Sequence, residues 1–329
     1  MDALYDVAAI GNAIVDVIAP ADETFLTREA LAKGSMTLID QPRAETLYAA
    51  MAPGVEMSGG SAGNTIAGLA SFGGRAAFVG KVAADALGDI YAHDMRAMGA
   101  HFGTTPLNGG AATGRCLINV TPDGERTMNT FLGAAGELTA DDVDVVLIEA
   151  SKTVYLEGYL FDPMEARRAF AKAAALAHGA GRKIALTLSD AFVVERHREA
   201  LLGFIETQVD VLFANEVEIC SLMQTDDFGQ AAIAVQDKVR IAALTRGAKG
   251  SVVIYPGGVQ AVPADAVDKV VDTTGAGDQY AAGFLLGLAQ DRPLDVCARL
   301  GAVAAAEVIG HYGPRPNVSL RDLAASRGL

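Results

Sequence analysis

The sequence predicts an α/β fold: a mostly parallel sheet with helices on both faces, and a small β-layer projecting from it. Three observations carry this. From Thr153 onward, strand-like and helix-like runs alternate, the pattern of parallel strands joined by crossover helices. Two strand-like runs, Thr113 to Thr121 and Arg126 to Phe131, meet at Pro122-Asp123-Gly124, a turn whose glycine supplies positive φ. No linker separates independent units, so residues 1–329 read as one domain, with the small-layer strands inserted at about 12–50 and 104–135.

Each element has its own signal. Tyr5 to Ile10 is an apolar run of strand length, and continued alternation beyond it places Asn12, Ile14 and Asp16 on one face. Lys33 to Asp40 is a further short strand candidate. Ala62 to Phe72 has the small-residue spacing of a tightly packed helix ended by Gly73-Gly74. The alternating part predicts strands at Thr153 to Gly158, Lys183 to Ser189, Val209 to Ala214 and Val239 to Thr245. Helices fall at Met164 to His178, near Val194 to Glu206 and from Glu216. A hairpin at Pro256-Gly257-Gly258, a strand ending near Val271, and Ala-rich helices at Asp278 to Ala289 and Leu294 to Ile309 complete the chain.

Composition narrows the function. Hydrophobic residues make up 51% and charged residues 20%, which supports a folded core. A net charge of −14 with no basic stripe argues against a nucleic-acid partner. It does not oppose a nucleotide ligand, because a few oriented N–H dipoles and an ion decide phosphate binding locally. Cys116, Cys220 and Cys297 are far apart and lie in apolar stretches, so buried reduced thiols are expected. No apolar run reaches about 18 residues and no signal-peptide pattern opens the chain, which predicts a cytoplasmic protein without a membrane partner.

The strongest chemical signal is Asp272-Thr273-Thr274-Gly275-Ala276-Gly277-Asp278, read as a strand-to-helix turn. Small residues let an anion approach the backbone, and the helix N-terminus adds roughly half a positive charge, so a phosphoryl group fits. A carboxylate at 278 then accepts the proton of an attacking hydroxyl while N–H groups hold the charge on the phosphoryl oxygens. Gly59-Gly60-Ser61-Ala62-Gly63-Asn64 is a second Gly-rich helix start, and its amide binds hydroxyls through two atoms. Asn12 and Asp16 supply further hydroxyl ligands.

These blocks resemble the ribokinase-like, phosphofructokinase-B-type family of carbohydrate and nucleoside kinases over essentially the whole chain. Gly59-Gly60 to Asn64 is similar to the family's first signature, and Asp272 through Asp278, continuing to Gly283-Phe284, to its second. The resemblance implies a three-layer α/β/α fold with a β-lid, and ATP as co-substrate with Mg²⁺. It assigns Asp278 as base and the backbone of Gly275, Ala276 and Gly277 as anion hole, and it implies that Asp16, Gly60 and Asn64 hold the acceptor's hydroxyls. Asn215-Glu216-Val217-Glu218 matches the family's NxxE element, which implies that Glu218 organises Mg²⁺ indirectly, beside Asn215 at the nucleotide. Thr245-Arg246-Gly247-Ala248-Lys249-Gly250 resembles the nucleotide loop, so Thr245, Gly247 and Gly250 join Thr274 as expected nucleotide contacts.

Gly11-Asn12-Ala13-Ile14-Val15-Asp16, with Ser61 after the glycine pair, is more similar to the adenosine kinase branch than to the ribokinase branch. That implies phosphorylation of the 5′-hydroxyl of a purine nucleoside, adenosine first. Met128 and Thr130 are expected to line the acceptor pocket, Arg126 to reach a phosphate, and Phe131, Tyr159 and Phe161 to be candidate walls for a base. Gly313-Pro314-Arg315-Pro316 resembles a segment that binds a monovalent cation in some members, a role that here has only positional support. The oligomeric expectation is monomer or homodimer. Three other readings compete with this one: a kinase of a free sugar such as ribose or fructose, a serine hydrolase with a GxSxG elbow at Ser61, and a non-catalytic sensor on the same scaffold.

Overall fold

The computed structural model describes residues 3–329. Fourteen strands form two sheets among the described residues. In chain order they are β1 (Tyr5–Ile10), β2 (Ile14–Pro20), β3 (Met36–Leu38), β4 (Val55–Ser58), β5 (Ala76–Val79), β6 (His101–Phe102) and β7 (Gly114–Val120). These are followed by β8 (Arg126–Phe131), β9 (Ser151–Glu157), β10 (Lys183–Thr187), β11 (Val211–Asn215), β12 (Ile241–Thr245), β13 (Ser251–Tyr255) and β14 (Gly258–Val262). The large sheet has the order β14-β13-β12-β11-β10-β9-β1-β5-β6. It is parallel from β6 to β12, and β13 and β14 close one edge as an antiparallel hairpin.

Parallel strands need crossovers, and the helices that supply them cover both faces. The two faces divide the core. Val7, Ala9, Phe78, Tyr155 and Phe213 pack with the Ser61–Ser71, Ala276–Ala289 and Leu294–Val308 helices. Ala8, Ile10, Val154, Leu156 and Leu186 pack with the Met164–Gly179 and Ala191–Gln208 helices. Alternate residues of one strand thus feed opposite layers, as a two-residue period requires.

The small sheet has the order β3-β8-β7-β2-β4. Its register aligns Asp16 with Cys116, Cys116 with Thr130 and Thr130 with Leu38, so these four share a face. The layer also takes β4, which lies beyond the 12–50 segment expected from sequence and pairs antiparallel with β2.

Two expected strands differ. Lys33 to Asp40 contributes only Met36–Leu38 to the sheet. The segment ending near Val271 is not a strand: the N–H of Val271 donates to the carbonyl of Ile309 at 2.8 Å, at the end of the Leu294–Val308 helix. A helix C-terminus leaves carbonyls without intrahelical partners, and here one of them takes the place of a neighbouring strand.

Candidate active site

In parallel α/β sheets, ligands bind beyond the carboxyl ends of the strands. Asn12 follows β1, Glu157 ends β9, Thr187 ends β10, Asn215 ends β11 and Thr245 ends β12, and all five line one cleft of about 690 Å³. The small sheet roofs it with Ile14, Asp16, Cys116, Ile118, Met128 and Thr130. That volume is in the range of small-molecule sites.

Asp278 sits on the floor. It occupies the third position of the Ala276–Ala289 helix, three residues past the cap at Gly275. Its carboxylate accepts from Ser61 Oγ at 2.6 Å and from Asn64 Nδ2 at 3.2 Å. Burial pushes its pKa up to about 6, against the lowering effect of those two donors. The helix is capped by Gly275 at φ +79°, and a Cβ there would lie 2.7 Å from Pro314, so both conformation and space require glycine. No atom lies within 4 Å of a Cβ built on Gly277, which leaves the helix N-terminus open toward the cleft. The N–H of Ala276 donates to the carbonyl of Thr273 at 3.3 Å, so of the three expected anion-hole residues it is the one with a partner inside its own turn.

The acceptor side is acidic. Asp16 is 8% exposed and packs on Gly59, where a Cβ would come within 2.3 Å of its carboxylate. Burial raises its pKa to about 6, with Arg315 and Arg126 pulling the other way. It has no hydrogen-bond donor among the described residues. Gly60 adopts φ +83° because the carbonyl of Asn12 lies 2.2 Å from where its Cβ would be.

Glu157 is the residue that sequence reading missed. Its carboxylate accepts from Asn12 Nδ2 at 2.6 Å, from the Asn12 N–H at 3.3 Å and from the Ala62 N–H at 2.9 Å. It thereby ties the end of β1 to the start of the Ser61–Ser71 helix. Burial lifts its pKa to about 7. The available signal was an acid at the end of an otherwise apolar strand, Val154-Tyr155-Leu156-Glu157.

At the opposite end of the cleft, Asn215 and Glu218 form a reciprocal capping box: Asn215 Nδ2 donates to Glu218 Oε1 at 2.7 Å, and the Glu218 N–H donates to Asn215 Oδ1 at 2.8 Å. Glu218 is 7% exposed, and burial raises its pKa to about 7 with help from the charges of Asp190 and Asp278. A buried acid among acids, without a cationic partner, suits a divalent ion held through water and phosphate. No group of three His, Cys, Asp or Glu that could hold a metal by itself occurs among the described residues.

The cleft gathers most of the expected residues. Asn12, Asp16, Gly60, Ser61, Asn64, Met128, Thr130, Asn215, Glu218, Thr245 and residues 274–278 all line it, whereas Gly59, Gly247 and Gly250 do not, although the last two follow Thr245 closely in sequence. The side chain of Arg246, between Thr245 and Gly247, turns to Glu216 at 2.8 Å. Of the aromatic candidates only Tyr159 lines the cleft. Phe131 follows Thr130 on β8 and therefore points to the other face, and Phe161 is buried against Phe170 and Phe204. Arg126 is also displaced from its expected place: it pairs with Asp272 at 2.5 Å and lines a neighbouring cavity. The GxSxG block does follow a strand, β4, but Ser61 bonds to Asp278 and no histidine lines the cleft, so the residues of a hydrolase triad are not assembled.

Fold and cleft together define a small-molecule kinase, with an open helix N-terminus and the buried carboxylate of Asp278 facing a cleft roofed by the small sheet. The chain belongs to the pfkB family of carbohydrate kinases, whose family model matches residues 6–320. It is 51% identical to an adenosine kinase of Sinorhizobium meliloti of known crystal structure, at a TM-score of 0.92 with 99% of each chain covered. It is 47% identical to a probable sugar kinase from Rhizobium etli, at a TM-score of 0.93 with the same 99% coverage of both chains. The adenosine kinase of Saccharomyces cerevisiae is 26% identical over 327 residues, covering 93% of this chain and 95% of the relative. The protein is an ATP-dependent phosphotransferase, and no described helix is long and apolar enough to cross a membrane.

Proposed function

We propose that the protein transfers the γ-phosphoryl group of ATP to the 5′-hydroxyl of a purine nucleoside, with adenosine as the acceptor and AMP and ADP as products. The observation that carries this reading is the placement of Asp278 on the first turn of the Ala276–Ala289 helix, held by Ser61 and Asn64 and open to the cleft. The names of the S. meliloti and yeast relatives support adenosine.

In this reading the 5′-hydroxyl lies against Asp278, which takes its proton as the oxygen attacks the γ-phosphorus. The bond from that phosphorus to the β,γ-bridging oxygen breaks and ADP leaves. The N–H groups of Gly275, Ala276 and Gly277 receive the charge on the phosphoryl oxygens. Asp16 accepts hydrogen bonds from the ribose diol, a role its donor-free carboxylate fits, and Asn12, Gly59, Gly60 and Asn64 complete the sugar site. Ser61 serves both sugar and base. Ile14, Met128 and Thr130 face the purine, while Thr245, Thr274 and Asn215, which line the cleft, frame the nucleotide. Glu218 would help hold Mg²⁺ indirectly when ATP is bound, and the ion would supply positive charge against the phosphates. Asp272 is already neutralised by Arg126 and by the Thr274 and Gly313 N–H groups, so the chain itself supplies the charge that a monovalent cation near 313–316 would bring. The reaction returns a nucleoside to the cytoplasmic nucleotide pool, a purine-salvage role.

A second reading, phosphorylation of a free sugar such as ribose or fructose, is favoured by the 47% identical probable sugar kinase. ADP release from Mg·ATP against adenosine, guanosine, inosine, cytidine, ribose and fructose decides between them. Adenosine turnover that Asp278→Asn abolishes supports the proposal. Turnover with free sugars alone moves the protein to the second reading.

A further inference from the structure

We infer that the cavity beside the active site, bounded by Arg126 and Arg315, is a second ligand site for a small anion, a carboxylate or phosphomonoester, carried on an apolar body. This inference is independent of which acceptor is phosphorylated.

The cavity has a volume of about 660 Å³ and shares only Pro314 with the catalytic cleft. Ile18 and Met57 of the small sheet, Ala67 and Ala70 of the Ser61–Ser71 helix, and Met98 give it mainly apolar walls, with the exposed Tyr312 at its rim. It is large enough for a ligand of nucleotide size.

Two guanidinium groups border this apolar space, and neither is fully satisfied. Arg126 is 7% exposed, its single ionic contact among the described residues is Asp272 through Nη2, and its Nε and Nη1 have no hydrogen-bond acceptor. Arg315 spends its bonds on neutral groups: Nη1 on Ser58 Oγ at 2.7 Å, Nε on Asn64 Oδ1 at 3.4 Å. Its Nη2 is buried without a partner, and no carboxylate lies within 4.0 Å of it among the described residues. Asp16 feels both cations but stands beyond ion-pair distance. Burying a cation with unbonded N–H groups is costly, and removing its partner leaves that cost uncompensated. A carboxylate or phosphate oxygen pair matches the guanidinium fork, and the apolar walls then select the rest of the molecule.

Both arginines also touch the catalytic apparatus. Arg126 holds Asp272, whose Oδ1 accepts from the Thr274 N–H and Oγ1 at the start of the phosphate-receiving turn. Arg315 holds Asn64, which donates to Asp278. An occupant that draws on either guanidinium alters turnover, and acceptor and occupant change each other's affinity by the same factor.

Isothermal titration of phenyl phosphate, benzoate and inorganic phosphate into protein saturated with Mg²⁺ and the ATP analogue AMP-PNP tests this, with the nucleotide and phosphate positions of the cleft filled. The expected result is one site per chain, with phenyl phosphate at least tenfold tighter than inorganic phosphate. Arg126→Met should weaken it at least tenfold. Ala70→Phe fills the cavity without altering any charge, and should abolish binding while kinase turnover in the absence of added anion stays near wild type. Absence of binding to the wild-type protein overturns the inference, as does binding that Ala70→Phe leaves unchanged. Equal affinity for inorganic and phenyl phosphate overturns the apolar part of the ligand. If Arg126→Met does not fold, Ala70→Phe alone decides.

Discussion

Ser61 Oγ donates to Asp278 Oδ1 at 2.6 Å across 217 positions of sequence, which brings the two Gly-rich helix starts to one point. A hydroxyl donor beside a carboxylate base favours its charged form, and it offers the place where an acceptor hydroxyl can compete.

Removing the base isolates its role. Asp278→Asn keeps the shape and can still bond to Ser61 and Asn64 through its amide, but takes no proton. We expect kcat to fall by about 10² to 10⁴, the usual contribution of a general base, with KM for ATP and thermal stability close to wild type. Unchanged kcat in steady-state assays would remove Asp278 from the chemistry.

The pH profile follows from the same contact. Asp278 acts as a base only when ionised, so kcat/KM should rise with pH through about 6 and then level. Ser61→Ala removes a donor that stabilises the carboxylate, so the variant's acidic limb should move to higher pH. A limb that stays put, or shifts to lower pH, contradicts the donor role.

In the proposed reaction Asp16 acts through binding. Its carboxylate has no hydrogen-bond partner among the described residues and packs directly on Gly59. Asp16→Ala should raise KM for the acceptor at least tenfold while changing KM for ATP little. Equal effects on both substrates would place Asp16 outside the acceptor site.

Glu157 should leave its mark on stability. Its carboxyl has a raised pKa in the folded protein, about 7 against an ordinary 4.5, so the folded state binds more protons than the unfolded state between those values. Its contribution to stability is therefore greatest below about 4.5 and is lost as pH rises through about 7. Glu157→Gln cannot ionise, and its melting temperature should fall less steeply between pH 5 and 7 than that of the wild type. Asp16, Asp278 and Glu218 are raised in the same direction and retain part of the slope. Identical slopes for the two proteins, measured by calorimetry, would show that Glu157 is not buried as described.

Gly275 tests the backbone. Gly275→Ala meets both φ +79° and Pro314 at 2.7 Å, so the first turn must shift. We expect a loss of kcat larger than the rise in either KM, together with a lower melting temperature; wild-type kcat would show that the turn tolerates the displacement.

The parallel core was legible because its signals are local. Apolar runs of strand length separated by amphipathic helices predict β9 to β12 without knowledge of their neighbours, and the asparagine and acid of Asn215-Glu216-Val217-Glu218 mark a helix start by their spacing. The Val270-Val271 run was read as a strand for the same reason, and wrongly, because its hydrogen-bond partner is a helix end that becomes adjacent only on folding.

By itself, the sequence determined where the candidate residues stand: Asp278 behind three small residues, Asn64 behind two glycines, and Asp16 in step with Asn12. Local spacing specifies helix starts and strand faces, and those specify the direction of side chains. Tertiary structure alone decided which polar groups meet. Glu157 clamps Asn12 and Ala62, Arg126 takes Asp272, Arg315 steadies Asn64, and Gln279 donates to the carbonyls of Asn64 and Pro314 at 3.0 and 2.9 Å. These pairs join segments 35 to 251 residues apart. No periodicity encodes such a pairing, because it depends on the packing of sheet, lid and C-terminal segment around a common cleft.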